Sequence, residues 1–101
     1  MKFISFGIYD VAKTAEVAQA ADKVAKTPGR KSLASYTCMG LAFPGVPPNT
    51  LVTIEVVEYE SNEAMAAAQY PLALAGATVW AVPVLEFTPG RGATTEKKYR
   101  K

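Results

Sequence analysis

Residues 78–87, TVWAVPVLEF, decide the fold. Their β-formers specify a strand, yet Pro83 sits in its middle and both alternating rows, Val79/Leu85/Phe87 and Trp80/Val82/Val84, are apolar. Proline cannot donate to a ladder, so inside a sheet it belongs on an edge strand with its nitrogen facing outward. Two apolar rows need two covers. The rest of the chain must therefore supply an edge position for this strand and something apolar on each side of it.

Immediately upstream, NEAMAAAQYPLALA (62–75) is an Ala-rich helix with Ser61 as N-cap and Glu63 in its first turn; Pro71 is expected to end or kink it near Gln69 or Tyr70. Before it, TLVTIEVVEYE (50–60) alternates Val52, Ile54 and Val56 on one face with Leu51, Thr53, Glu55, Val57 and Tyr59 on the other. PGVPPN (44–49) can only be a loop, and KSLASYTCMGLAF (31–43) reads as a second strand with Gly40 marking a bulge or bend. Residues 11–26 place Val17, Ala18, Ala21, Val24 and Ala25 on one helical stripe, capped by Asp10 and ended by Thr27-Pro28-Gly29. The first strand, KFISFGIY (2–9), carries Ile4, Phe6 and Ile8 on one face and Phe3, Ser5, Gly7 and Tyr9 on the other.

The order is β-α-β-β-α-β, an α+β, ferredoxin-like arrangement: an antiparallel four-stranded sheet in the order 4-1-3-2 with two helices on one face. Such a topology puts the Pro83 strand at an edge and the first and third strands, free of proline, in the centre.

A chain of 101 residues suffices for one domain, assigned to residues 1–89, with 90–101 as a basic tail lacking regular structure. That tail holds five Lys and Arg against one Glu, whereas the remainder holds six against eight, so the formal charge of +2 belongs to the tail. With Tyr99 its only aromatic residue, the tail reads as a solvated end, and nucleic acid is not the expected partner. Histidine is absent and Cys38 is the only cysteine. Those two facts remove Ser-His-Asp and Cys-His nucleophiles, thiolate or imidazole metal centres and intrachain disulfides. No apolar run reaches the roughly 18 residues of a membrane span, and the expectation is a soluble, cytoplasmic protein.

In a lone ferredoxin-like domain the helices cover one sheet face and water wets the other. Here the face opposite the helices is expected to carry Phe3, Tyr9, Leu51, Val57 and Tyr59 with one apolar row of the last strand, more than soluble monomers usually expose. The economical cover is a second copy under two-fold symmetry.

The opening MKF strand and the closing helix, break and strand with its PVL step, QYPLALAGATVWAVPVLEF (69–87), resemble the dimeric α/β-barrel superfamily, and within it small domains of unknown function. The resemblance spans residues 1–88; the GLAFPGVPPN connection and the basic tail fall outside it. It implies a homodimer, or a higher homo-oligomer, whose sheets enclose a shared interior. Relatives there include cofactor-free monooxygenases, small isomerases, stress-related barrels and haem-degrading enzymes; the last usually employ a histidine that this chain lacks. Two functions follow from the resemblance: a module that binds a small apolar ligand or mediates interactions, or a cofactor-independent monooxygenase- or isomerase-like enzyme. Neither calls for a cofactor or metal.

Within that frame Glu55, in a central strand, is the candidate base or ligand-orienting carboxylate, with Tyr9 as its acid/base partner. The competing reading of Glu55 is a carboxylate paired with Lys or Arg at an interface, or one pointing out of the barrel. Ser5, Tyr36 and Trp80 are candidate ligand contacts, Gly7 leaves room beside them, and each tyrosine or tryptophan could equally be structural. Cys38 has no neighbour to activate it and reads as a small hydrophobe. Strand alternation separates Glu55 from Glu58 and Glu60, so no shared metal site is expected.

Overall fold

The computed structural model describes residues 1–40 and 44–100. The chain runs β1 (Lys2–Asp10), a 3-10 turn (Val11–Lys13), α1 (Thr14–Val24), β2 (Arg30–Thr37), β3 (Thr50–Tyr59), α2 (Asn62–Leu74), β4 (Thr78–Pro83) and α3 (Gly92–Tyr99). The four strands form one sheet in the order β2-β3-β1-β4, every neighbouring pair antiparallel, which is the expected 4-1-3-2 order read from its other end.

β4 lies at the edge, and its proline sits where an edge strand tolerates it. Val84 donates to the Lys2 carbonyl at 3.2 Å, so the nitrogen of Pro83, one residue earlier, points away from β1 and forfeits no ladder bond. Asp10 caps the 3-10 turn, accepting from Ala12 N at 2.8 Å, and Ser61 caps α2, accepting from Ala64 N at 3.1 Å. Pro71 does not end α2, which continues to Leu74. The carbonyl deprived of its donor belongs to Ala67, an exposed residue, so water can satisfy it. Beyond β4, regular structure returns as the solvent-exposed α3, where none was expected.

The irregularity in β2 falls not at Gly40 but at Leu33, which is unpaired between Ser32 opposite Val57 and Ala34 opposite Val56. Residues 41–43 of the expected second strand lie outside the described residues. A bulge of one residue shifts the alternation, so Arg30, Ser32, Ser35 and Thr37 all share one face of the sheet while Ala34 and Tyr36 take the other.

The expected assignment of the two faces is reversed. Phe3, Val57 and Tyr59 pack with Val24 of α1 and with Ala64 and Ala68 of α2, and Tyr9 packs with Val17 and Ala77. The helices therefore lie over the row that includes Phe3, Tyr9, Leu51, Val57 and Tyr59; Phe3 and Tyr59 meet edge to face, centroids 5.8 Å apart. The size of the partners accounts for this. Helices that offer mainly alanine methyls need long rings from the sheet to fill the layer between them. Ile4, Phe6 and Ile8, Val52, Ile54 and Val56, and Trp80 and Val82 form the opposite face, where Phe6 and Trp80 stack at 5.1 Å.

Candidate functional site

The helix-covered face is apolar only at its margins. Its centre is built of Ser5 and Gly7 from β1, Thr53 and Glu55 from β3 and the polar row of β2, and here a cleft of about 430 Å³ opens between the sheet and α1. Two features make the space. The residues of α1 and its C-cap that look onto it include Ala18, Ala21 and Ala25, each a single methyl group. α1 also packs on β1 and α2 rather than over β2, which is exposed at six of its eight positions. Val17, Val24, Leu72 and Val79 give the cleft apolar walls around its polar floor. Gly7 keeps that floor open: a Cβ there would stand 2.9 Å from Thr53 Oγ1.

At the centre is an ion pair. Arg30 donates from Nη2 to Oε1 of Glu55, and Ser32 Oγ donates to Oε2 at 2.7 Å. The Arg30 side chain is 6% exposed and that of Glu55 23%, so the cation is sealed while the carboxylate keeps an opening to the cleft. The guanidinium also lies over the Tyr59 ring, 6.0 Å from its centroid, a further favourable setting for a desolvated cation. Residue order explains the pairing: Arg30 follows Gly29, whose φ of 77° turns the chain after α1 and starts β2 opposite Tyr59.

The candidate residues divide between the two faces. Glu55, Tyr9 and Ser5 all line the cleft. Tyr36 is not with them: it lies on the opposite face, paired across from Ile54 and 63% exposed, and Trp80 shares that face. The expected common cavity for Tyr9 and Tyr36 is therefore not formed, because the Leu33 bulge turns Tyr36 over. Sequence reasoning missed Arg30 and Ser32. A hairpin register drawn back from Tyr59 would have placed Arg30 on the Glu55 face, but the bulge that brings Ser35 and Thr37 to the same floor leaves no trace in the residue pattern. Among the described residues, no three His, Cys, Asp or Glu side chains gather as a metal site, and no helix is long and apolar enough to cross a membrane.

No protein-family model matches the chain, and no curated protein sequence matches it. Solved structures do. A DUF3240 family protein from Shewanella baltica OS155 superposes with a TM-score of 0.50 at 12% identity, covering 86% of this chain and 93% of that one. SnoaB, a cofactor-independent oxygenase from Streptomyces nogalater, superposes with a TM-score of 0.50 at 18% identity, covering 87% of this chain and 95% of that one. At such identities the likeness is one of fold. The chain has the ferredoxin-like α+β architecture found in dimeric α/β-barrel proteins, as the resemblance in its sequence implies.

Proposed function

We propose that this protein is a homodimeric small-molecule-binding domain, in which the sheet face free of helices meets its copy and the cleft beneath α1 holds the ligand. The carrying observation is the polar floor of that cleft: a serine, a glycine, a threonine and a glutamate occupy the middle of two central strands, where a purely structural layer would bury aliphatic side chains. Polar residues in that position lower stability unless they are hydrogen-bonded, as Glu55 is to Arg30 and Ser32. The apolar reach of a ligand would lie along Val17, Val24, Leu72 and Val79, and its polar atoms toward Glu55 and the hydroxyls. Support for pairing is the apolar composition of the other face, where Val82 is 43% exposed within one chain.

A second reading, a cofactor-independent oxygenase- or isomerase-like enzyme, draws on the placement of Glu55 and Tyr9 in the same cleft and on the fold shared with SnoaB. Against it stands the engagement of both Glu55 oxygens, by Arg30 and Ser32, which suits a positioning carboxylate better than a free base. The test is a ligand-observed NMR fragment screen of the wild type beside Ala21→Trp, whose indole would fill the cleft from α1. Hits that bind the wild type and are lost in the variant support the reading; hits indifferent to Ala21→Trp reject the cleft as the site.

A further inference from the structure

We infer that a second copy docks on the helix-free face with each strand parallel to its own counterpart, β2 of each copy over β4 of the other, and that a row of alternating charges selects this orientation; the inference rests on reading that face as a dimer seam. At one end of the face, in sheet order from β2 to β4, stand Lys31, Glu58, Lys2 and Glu86. Lys31 is opposite Glu58 in the β2–β3 ladder, and Glu58 is opposite Lys2 in the β3–β1 ladder. Glu86, just past β4, pairs with the Lys2 ammonium. The chain neighbours Arg30, Tyr59 and Phe3 lie on the helix side, so strand alternation turns Lys31, Glu58 and Lys2 to the seam. Next to this row the seam is apolar: Ala34, Val56, Ile4 and Val82, then Tyr36, Ile54, Phe6 and Trp80.

The signs along the row run plus, minus, plus, minus. A two-fold axis lying between two facing sheets and along their strands reverses the sheet order while keeping this end over this end. Lys31 then meets the partner's Glu86 and Glu58 meets the partner's Lys2, each contact made twice. The same rotation lays Tyr36 over the partner's Trp80 and Ile54 over the partner's Phe6. Facing sheets keep their strands within about 30° of each other, an offset that long Lys and Glu side chains can follow. The groups have room for it: among the described residues Lys31 and Glu58 form no ion pair, and Glu86 is 73% exposed. Two further charges at this end lie outside the row, Glu60 with its carboxylate against Gly29 and the Met1 amine on the Tyr59 carbonyl. A two-fold axis across the strands would instead set the charged row against the last row of the seam, where Asp10, already capping the 3-10 turn, stands beside Thr50. One carboxylate cannot answer four charges of alternating sign. An unrelated partner would need the complementary signs at the strand spacing of about 4.8 Å, which a second copy brings by symmetry.

Lys31 and Glu86 stand at opposite edges of one sheet, so coupling between them reports on the interface and not on the single chain. The test measures the dimer dissociation constant of the full chain, Lys31→Glu, Glu86→Lys and the double variant by sedimentation equilibrium at low and high salt. Each single reversal sets two like-charge contacts in the dimer and should weaken association about tenfold at low salt, with a smaller effect at high salt. The double variant should return to within about threefold of the wild type. Mixing the two single variants gives a second reading, because a mixed dimer has opposite signs at both contacts: mixed dimers should exceed the half that random pairing produces. Single reversals without effect, a double variant as weak as the two losses combined, or random mixing overturns this docking and leaves the dimer standing. A wild type that sediments as a monomer overturns the dimer reading as well.

Discussion

The two faces of the sheet invert the usual division of labour. Under the helices, where a small α+β domain normally keeps its most apolar residues, the middle of the sheet is Ser5, Gly7, Thr53 and Glu55. On the face without helices, where alternation normally turns polar, the corresponding positions are Ile4, Phe6, Ile8, Val52, Ile54 and Val56. Most of the residues buried within the chain lie on the helix side; on the helix-free row Val52 is buried at 1% exposure, and Ile4, Phe6, Ile8, Ile54 and Val56 are half-buried. Such an arrangement makes sense when the helix layer serves as a container and the opposite face as a seam.

The sharpest way to break that comparison is to charge the seam. Ile54→Lys puts an ammonium in the centre of the helix-free face, between Phe6 on β1 and Tyr36 on β2. If two copies meet there, stranding this charge costs about 3 kcal/mol or more and raises the dimer dissociation constant more than a hundredfold. Light scattering coupled to size exclusion should then give the 10.8 kDa monomer for the variant and twice that mass for the wild type. A wild type that already runs as a monomer would remove the seam from the account.

The next effect concerns the container. Arg30→Met leaves Glu55 with Ser32 as its remaining partner, and because the carboxylate is partly exposed the expected loss is about 2 kcal/mol, less than for a fully sealed pair. Replacing both charges, as Arg30→Met with Glu55→Leu, should recover most of that loss or exceed the parent's stability. Urea unfolding of the four-member cycle measures this. A double variant that is stable but no longer binds fragments would show the pair to be kept for the ligand; one as unstable as Arg30→Met would make it structural.

A smaller change tests the floor. Gly7→Ala should cost about 1–2 kcal/mol, because its methyl arrives within 2.9 Å of the Thr53 hydroxyl. Adding Thr53→Ala removes the obstructing oxygen and should return much of the stability. If Gly7→Ala is neutral alone, close approach across β1 and β3 is not the reason for glycine there.

The topology was legible in the sequence because each element announced itself locally: Asp10 and Ser61 as caps, Gly29 after α1, Pro83 as an edge marker, and alternation strong enough to define β1 and β3. Which face the helices cover was not legible. Alternation points to the continuous aliphatic row of Ile4, Phe6 and Ile8 as the one under the helices, yet the helices cover the row in which Ser5, Gly7, Thr53 and Glu55 are flanked by Phe3 and Tyr9; the choice was made by the alanines of helices distant in sequence. The same limit governed the site. Glu55, Tyr9 and Ser5 share a parity that keeps them together whichever face is covered, but that face lies under the helices and not on the helix-free side expected to form a barrel interior; Tyr36 was misplaced because its parity depends on a bulge.

That bulge yields the last and smallest prediction. Deleting one residue from a strand ordinarily turns every side chain beyond it to the other face. Leu33 is different, being the unpaired residue itself and 41% exposed, with Ser32 opposite Val57 before it and Ala34 opposite Val56 after it. Its removal leaves a regular ladder in which Arg30 and Ser32, then Ser35 and Thr37, still point into the cleft, while Tyr36 stays on the seam. Stability should change by no more than about 1 kcal/mol, with NMR shifts confined to β2 and its neighbour. If instead the strand slips, Tyr36 replaces Ser35 on the floor and the cleft signals of Glu55 and Thr53 move. In that outcome the bulge would be what holds the two faces apart in character, and a regular β2 would be incompatible with a polar container.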